Sequence, residues 1–167
     1  AARLFVPRGE IEFRDINFRY ENQTEWVLKG ITLKIPAGQR VAIVGPIGSG
    51  KSTLASMLSR MIPVSDRSLF IDGVDINTID IKILRRHIGY VPQDTFLFSE
   101  RITDNLLFGV ETAGGGNDVE ELARMAGIES EIQELPYRYE SYLGERGINL
   151  SGGQKQRITI ARALAIN

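Results

Sequence analysis

The sequence predicts an α/β fold: an amino-terminal antiparallel β portion, a strand–loop–helix core, and a helical segment inserted before a last long helix. Three observations carry that expectation. Apolar and polar residues alternate along 11–20 and again along 31–35, the two-residue period of half-buried strands. Val41-Ala42-Ile43-Val44 is a continuous apolar run, the pattern of a strand covered on both faces, and it leads through a glycine-rich stretch into a helical period. From Val119 onward the apolar spacing is helical.

In chain order, Ile11, Phe13, Ile16, Phe18 and Tyr20 define the first strand, with a slip at Asp15 that reads as a bulge. The second alternation, Ile31, Leu33 and Ile35, stops at the turn signal Pro36-Ala37-Gly38, and the run 41–44 follows as a buried strand. Leu54, Leu58, Met61 and Ile62 then recur at helical spacing before Pro63. Leu69-Phe70-Ile71 reads as a short strand entering a turn at Asp72-Gly73, 80–86 as a short helix, and 88–91 as a buried strand ending at Pro92. Residues 110–117, with Gly114-Gly115-Gly116, read as a surface loop. Val119, Leu122, Ala123 and Ala126 make one helix face, with Glu120 and Glu121 in its first turn and Gly127 as its cap. Ile128, Ile132 and Leu135 mark a further short helix ended by Pro136, and 158–166 is a buried helix.

Composition narrows the function classes. A chain of 167 residues suits one ordinary domain, and 43% hydrophobic with 25% charged residues describes a globular chain rather than a disordered one. A net charge of -1 offers no electrostatic reason for nonspecific binding to nucleic acid or to membrane surfaces. With no cysteine there is neither a disulfide framework nor a thiolate metal site, and a reducing compartment is permitted. No apolar run approaches the roughly 18 residues of a membrane span. The opening Ala1-Ala2-Arg3-Leu4-Phe5-Val6-Pro7 has no initiator methionine or signal-peptide core, so the chain is expected to start inside a longer polypeptide.

Gly45-Pro46-Ile47-Gly48-Ser49-Gly50-Lys51-Ser52 fits G-x-x-x-x-G-K-[ST] at every fixed position. Glycines admit left-handed backbone, so successive N–H groups can converge on one anion. The helix that follows turns its unpaired first-turn amides and positive dipole end toward the same anion. Lys51 adds a full charge for the outer phosphates, and Ser52 adds a hydroxyl ligand for Mg²⁺. A glycine-rich connector without ligand is the bland alternative; the strand before and the helix after favour the phosphate cradle.

A second glycine-rich helix start lies at Leu150-Ser151-Gly152-Gly153-Gln154, where Ser151 and Gln154 have capping-box spacing and two glycines leave the first-turn amides uncovered. A second anion site and an ordinary capped helix are equal readings of that spacing. If both starts bind phosphate, either they fold onto one nucleotide or each serves a different nucleotide in an assembly.

Together these residues resemble the nucleotide-binding domain of ABC transporters, particularly exporters, from about Glu10 to Asn167. Gly45 to Ser52 match the family's Walker A motif of the P-loop NTPase core, Leu150 to Gln154 its signature motif, and Tyr90-Val91-Pro92-Gln93 its Q-loop. The resemblance implies residues 1–10 as linker from a membrane domain, 11–92 as β-subdomain and P-loop core, 93–150 as Q-loop and inserted α-helical subdomain, and 151–167 as signature helix. It implies ATP and Mg²⁺ as cofactors. Tyr20 would stack on adenine, though a core aromatic is the alternative from pattern alone. Gly45, Pro46, Ile47, Gly48, Ser49, Gly50, Lys51, Ser52 and Thr53 would cradle the phosphates, with Ser52 and Gln93 toward the metal. Ser151, Gly152, Gly153 and Gln154 would meet the γ-phosphate of the nucleotide held by a partner domain. Lys51, Gln93 and Ser151 would be the catalytic set.

The implied partners are a second nucleotide-binding domain, arranged head to tail, and the coupling helices of membrane domains, with Glu145 and Arg146 of Gly144-Glu145-Arg146-Gly147 facing those helices. The implied location is the cytoplasmic face of a membrane. Phe96, Leu97 and Phe98 read equally as core or as membrane-domain interface, and His87 reads as structural or solvent-facing. Arg67 stands where the family usually has glycine, so its turn is expected to be strained or rearranged.

The family's Walker B strand, catalytic glutamate, D-loop and switch histidine would follow Asn167, so the carboxy-terminal part of the core is expected to be missing. On that basis the chain alone should not turn over ATP normally, and an apolar sheet edge should lie uncovered. Two competing functions are a regulatory module of a degenerate site that closes on ATP without hydrolysis, and an ATPase of chromosome maintenance or DNA repair. The latter would carry long coiled coils, which the sequence lacks.

Overall fold

A computed structural model describes residues 6–110, 118–144 and 148–166. The chain divides into two compact units at His87 and Ile88. In the first, β1 (Ile11–Phe18) pairs antiparallel with β2 (Leu28–Ile35) on one side and with β3 (Leu69–Ile71) on the other; β4 (Val74–Asp75) completes a sheet of order β2-β1-β3-β4.

Phe13 and Ile16 are three residues apart and would face opposite sides of a regular strand. Both are buried, because the β1–β2 register slips between them and Asp15 takes a left-handed φ of 49°. The Asp15 N–H donates to Thr32 Oγ1, and the Gly30 N–H to Asn17 Oδ1. The bulge read from the sequence at Asp15 is therefore the device that brings both large side chains inside.

The β3–β4 hairpin turns on Asp72 and Gly73, both with positive φ (51° and 76°), the geometry whose twist suits a two-residue hairpin. The Asp72 carboxylate also accepts backbone N–H bonds from Arg8, Gly9 and Glu10 at 2.6, 3.3 and 3.0 Å. The segment preceding β1 is thereby latched to the hairpin.

Helix α1 (Lys51–Leu58) buries Leu54 and Met57. It ends earlier than the apolar spacing predicts. Arg60 adopts φ 49°, the Arg60 N–H bonds the Met57 carbonyl and the Met61 N–H the Ser56 carbonyl, which closes the helix in a Schellman turn before Pro63 is reached. Met61 is consequently 60% exposed and Met57 takes the core position. Arg85 donates to the Ser59 and Arg60 carbonyls and so caps this end from α2 (Ile81–Arg86), whose own start is capped by the Asp80 carboxylate.

Two predicted strands do not form. Residues 41–44 have no strand partner among the described residues, and Val41, Ile43 and Val44 are exposed (Val44 88%). An apolar run can direct a strand to the interior only where neighbouring strands take up its N–H and C=O groups. Residues 88–91 are likewise irregular, with Ile88 half-buried and Val91 exposed.

The second unit contains α3 (Ile102–Leu106), α4 (Val119–Met125), α5 (Glu129–Gln133) and α6 (Gly152–Leu164). Ile102, Leu106, Ala123, Ile132, Ile158 and Ala161 meet in its core and are essentially inaccessible. Asp118 caps α4 by accepting the Glu120 N–H, and Gly127 (φ 70°) ends it in a second Schellman turn through Gly127 N–H to Arg124 O and Ile128 N–H to Ala123 O. A Cβ on Gly89 would lie 2.7 Å from the Ala163 carbonyl oxygen, so the 88–91 segment packs on α6 at a separation only glycine allows. The expected glycine-rich loop lies, from Glu111 to Asn117, outside the described residues.

Candidate nucleotide-binding site

The first cluster sits where α1 begins. Gly50 is the N-cap of α1 with φ 84° and supplies no side-chain cap, so the first-turn amides keep no side-chain acceptor. Gly48 is also left-handed at φ 81°. The fit around Gly50 is tight: a Cβ there would lie 2.7 Å from Leu28 Cδ2 and 2.9 Å from the Val27 carbonyl oxygen. At Gly45 a Cβ would come within 2.9 Å of Ser49 Oγ, while Ile47 at the loop tip is fully exposed. Glycines at 45 and 50 thus let the loop close on itself and against β2.

Lys51 folds back over that loop. Its ammonium donates to the Gly45 and Pro46 carbonyls at 2.8 and 2.7 Å and to Ser49 Oγ at 3.3 Å. The charge is therefore held at the loop by neutral acceptors, which an anion can displace. Ser52 is exposed on the first turn, and Thr53 is buried with its Oγ1 3.1 Å from the Tyr20 hydroxyl. Tyr20 and Phe18 pack in a T-shaped pair, centroids 5.0 Å apart, and Tyr20 is 42% exposed. Tyr20 is not the fully buried core aromatic that pattern alone allowed.

The donor set suits a phosphate chain: loop and helix amides, one ammonium and one hydroxyl, with no acidic residue in the first turn of α1. The exposed Ser52 hydroxyl is a ligand type that Mg²⁺ accepts, a hard ion usually held by few protein oxygens plus phosphate and water. No group of three His, Cys, Asp or Glu side chains that could hold a metal occurs among the described residues.

The second cluster opens α6. Ser151 Oγ accepts the Gln154 N–H at 3.3 Å and Gln154 Oε1 accepts the Ser151 N–H at 2.9 Å, a complete capping box. Ser151, Gly152 and Gly153 are exposed, no acidic residue stands in the first turn, and a Cβ on Gly152 would meet nothing within 4 Å. The spacing left a capped helix and an anion site as equals. The cap is present, and the exposed glycine amides beside it keep the anion site open. Arg157, one turn further on, pairs with Glu131.

Gln93 is exposed in the irregular segment after Pro92. Of 96–98, Leu97 packs on the core, whereas Phe96 is 65% exposed. His87 caps α2, its Nδ1 2.9 Å from the Ile83 carbonyl oxygen. Glu145, Arg146 and Gly147 lie outside the described residues. Arg67 does adopt a left-handed φ of 59°, its N–H bound to Asp75 Oδ2 at 2.7 Å. Sequence reasoning overlooked Asn105, an asparagine with 0% exposure that ties several backbone groups together; its only signal was a polar residue beside the apolar Leu106-Leu107-Phe108.

Comparison with known proteins agrees with this architecture. The family model described as ABC transporter matches residues 28–167. The chain is 43% identical over 164 residues to human "ATP-binding cassette sub-family B member 6", covering 98% of this chain and 19% of that protein. It is 46% identical over 165 residues to "ABC transporter B family member 29, chloroplastic" of Arabidopsis thaliana, covering 98% of this chain and 26% of the relative. A bacterial Atm1-family ABC exporter solved with ATP bound aligns at a TM-score of 0.87 with 40% identity, over 98% of this chain and 28% of that one. The chain thus spans only a minor part of each relative's length. With its α/β architecture and its glycine-rich loop opening α1, the chain belongs to the ABC transporter family.

Proposed function

We propose that this chain is the ATP-binding and ATP-hydrolysing module of an ABC exporter, with 1–10 as linker, 11–92 as β-subdomain and P-loop core, 93–150 as Q-loop and helical subdomain, and 151–167 as signature helix. The observation that carries the reading is the Lys51 ammonium held over the Gly45 and Pro46 carbonyls at the uncapped start of α1.

In this reading Lys51 exchanges its carbonyl partners for phosphate oxygens, the amides of Gly48 to Thr53 surround the phosphates, and the ring of Tyr20 stacks on adenine. Ser52 and Gln93 would be the residues that hold Mg²⁺, which when bound would offset phosphate charge. Ser151, Gly152, Gly153 and Gln154 contact the γ-phosphate of a nucleotide carried by a second copy or a related domain, head to tail. ATP then favours the closed pair because one phosphate is held from both sides. The pair acts on membrane-domain coupling helices from the cytoplasmic face.

Lys51, Gln93 and Ser151 can hold phosphate and metal, but none is a carboxylate that could take a proton from attacking water. Turnover by the 167-residue chain alone is therefore expected to be negligible even where Mg-ATP binds. Binding of a fluorescent ATP analogue and phosphate release, measured on one preparation, test this. Binding without turnover is expected; absence of binding overturns the module, and robust hydrolysis overturns the need for further residues.

A further inference from the structure

We propose that Arg162 is a positioning residue that keys the 96–98 segment to α6 and thereby sets the orientation of the helix's Ser151 end. The functional part of this inference rests on the reading of Ser151 to Gln154 as a phosphate contact.

Arg162 lies in the last turn of α6 and uses its guanidinium as a three-way fork. Nε donates to the Asn105 carbonyl and Nη2 to Asn105 Oδ1, both at 2.9 Å, while Nη1 donates to the Phe96 carbonyl at 3.2 Å. Asn105, wholly buried, continues the network: its Oδ1 accepts the Phe98 N–H at 2.9 Å, and its Nδ2 donates to the Phe98 and Arg101 carbonyls at 3.0 and 3.1 Å. The guanidinium carbon lies 5.4 Å from the ring centroids of both Phe98 and Phe108.

No carboxylate forms an ion pair with Arg162 among the described residues, and burial pushes its pKa down. A part-buried charge without a counter-charge is a poor device for stability alone, since an aliphatic side chain would fill the space without the desolvation cost. What the fork contributes is geometry. A planar set of fixed donors meets three acceptors on Phe96 and Asn105, both far from Arg162 in sequence, in a geometry that a single ammonium does not fix.

Arg162 stands eleven residues beyond Ser151 on one uninterrupted helix, a span of about 16 Å. Over that length a helix moves nearly as a rod. Phe96 is 65% exposed, and its carbonyl is the one that Arg162 grips, so a body pressing on Phe96 is one hydrogen bond and the length of α6 from the Ser151 end.

The chain has no cysteine, so an Asp94→Cys, Gln156→Cys pair, both at exposed positions of this unit, can carry two nitroxide labels without background. Pulsed electron paramagnetic resonance on the full chain should give one narrow distance distribution, and Arg162→Lys should broaden it about twofold, because lysine keeps the charge but loses the fork. Leu164→Ala, packed on the same core, serves as a control for destabilisation and should leave the width unchanged. An unchanged width in Arg162→Lys, equal broadening in both variants, or failure of Arg162→Lys to fold would each overturn the positioning role. Binding of the fluorescent ATP analogue by the labelled parent chain is read in parallel. Its absence, with the broadening present, would remove the phosphate reading and leave the mechanical coupling standing.

Discussion

The Tyr20 hydroxyl lies 3.1 Å from Thr53 Oγ1, which ties the residue just beyond β1 to the first turn of α1. That contact engages the ring's hydroxyl, so the proposed stacking of the ring on adenine can be separated from it. Tyr20→Phe should retain nucleotide affinity within about twofold, and Tyr20→Ala should lose about 1–3 kcal/mol of it, the range of base–aromatic stacking. Titration of both variants with a fluorescent ATP analogue checks this; equal losses would show that the hydroxyl, not the ring face, matters.

Arg67 sits at φ 59° with its N–H on the Asp75 carboxylate. A left-handed L-residue costs about 1–2 kcal/mol, whereas glycine's extra unfolded-state entropy costs about 0.4–1 kcal/mol. The strain term is the larger. Arg67→Gly should therefore stabilise the chain by about 0.5–1 kcal/mol, measured by urea denaturation at constant slope.

The Asp72 carboxylate is pulled in two directions. Desolvation raises its pKa, but N–H bonds from Glu10, Arg8 and Gly9, together with the Arg8 charge, outweigh that and hold it below the ordinary carboxylate value. A pKa depressed on folding gives stability that is present above the unfolded value and is lost as pH falls through the folded one. Wild type should thus lose stability on acidification more steeply than Asp72→Asn. In the same experiment, amide exchange at Arg8, Gly9 and Glu10 should accelerate in the variant while the β1–β2 pairs stay protected.

Ser151→Ala removes the hydroxyl half of the α6 capping box and should cost about 1 kcal/mol of stability. Amide exchange should rise at Gln154, whose N–H loses its acceptor, and remain slow at Ile158 and Ala161 in the core. Uniform acceleration along α6 would mean that the cap holds the whole helix.

Local chemistry was legible in the sequence wherever it carried its own signal. The slip at Asp15, the turn at Asp72-Gly73, the end of α4 at Gly127 and the capping box of Ser151 and Gln154 all appear as residue types at fixed offsets. The glycine-rich loop that opens α1 was legible for the same reason. Features that depend on partners distant in sequence, or on a backbone angle or side-chain direction that no residue type announces, were not. Residues 41–44 read as a buried strand because hydrophobicity is local, while strand formation requires a neighbour. The end of α1 was read at Pro63 because arginine in a left-handed cap carries no sequence signal. Lys51 on the loop carbonyls and Arg162 on Asn105 join residues by geometry, and spacing could not show them.

In the proposed function the Gly45 to Ser52 loop holds the phosphates of ATP through Lys51. Isothermal titration of the chain with Mg-ATP, beside Lys51→Ala, tests it most directly. Saturable one-site binding by the wild-type chain is expected, with a loss of about 1.5–3 kcal/mol in the variant, the range for hydrogen bonds to charged groups. Equal affinity in the two proteins, or no binding by either while both remain folded, would contradict it.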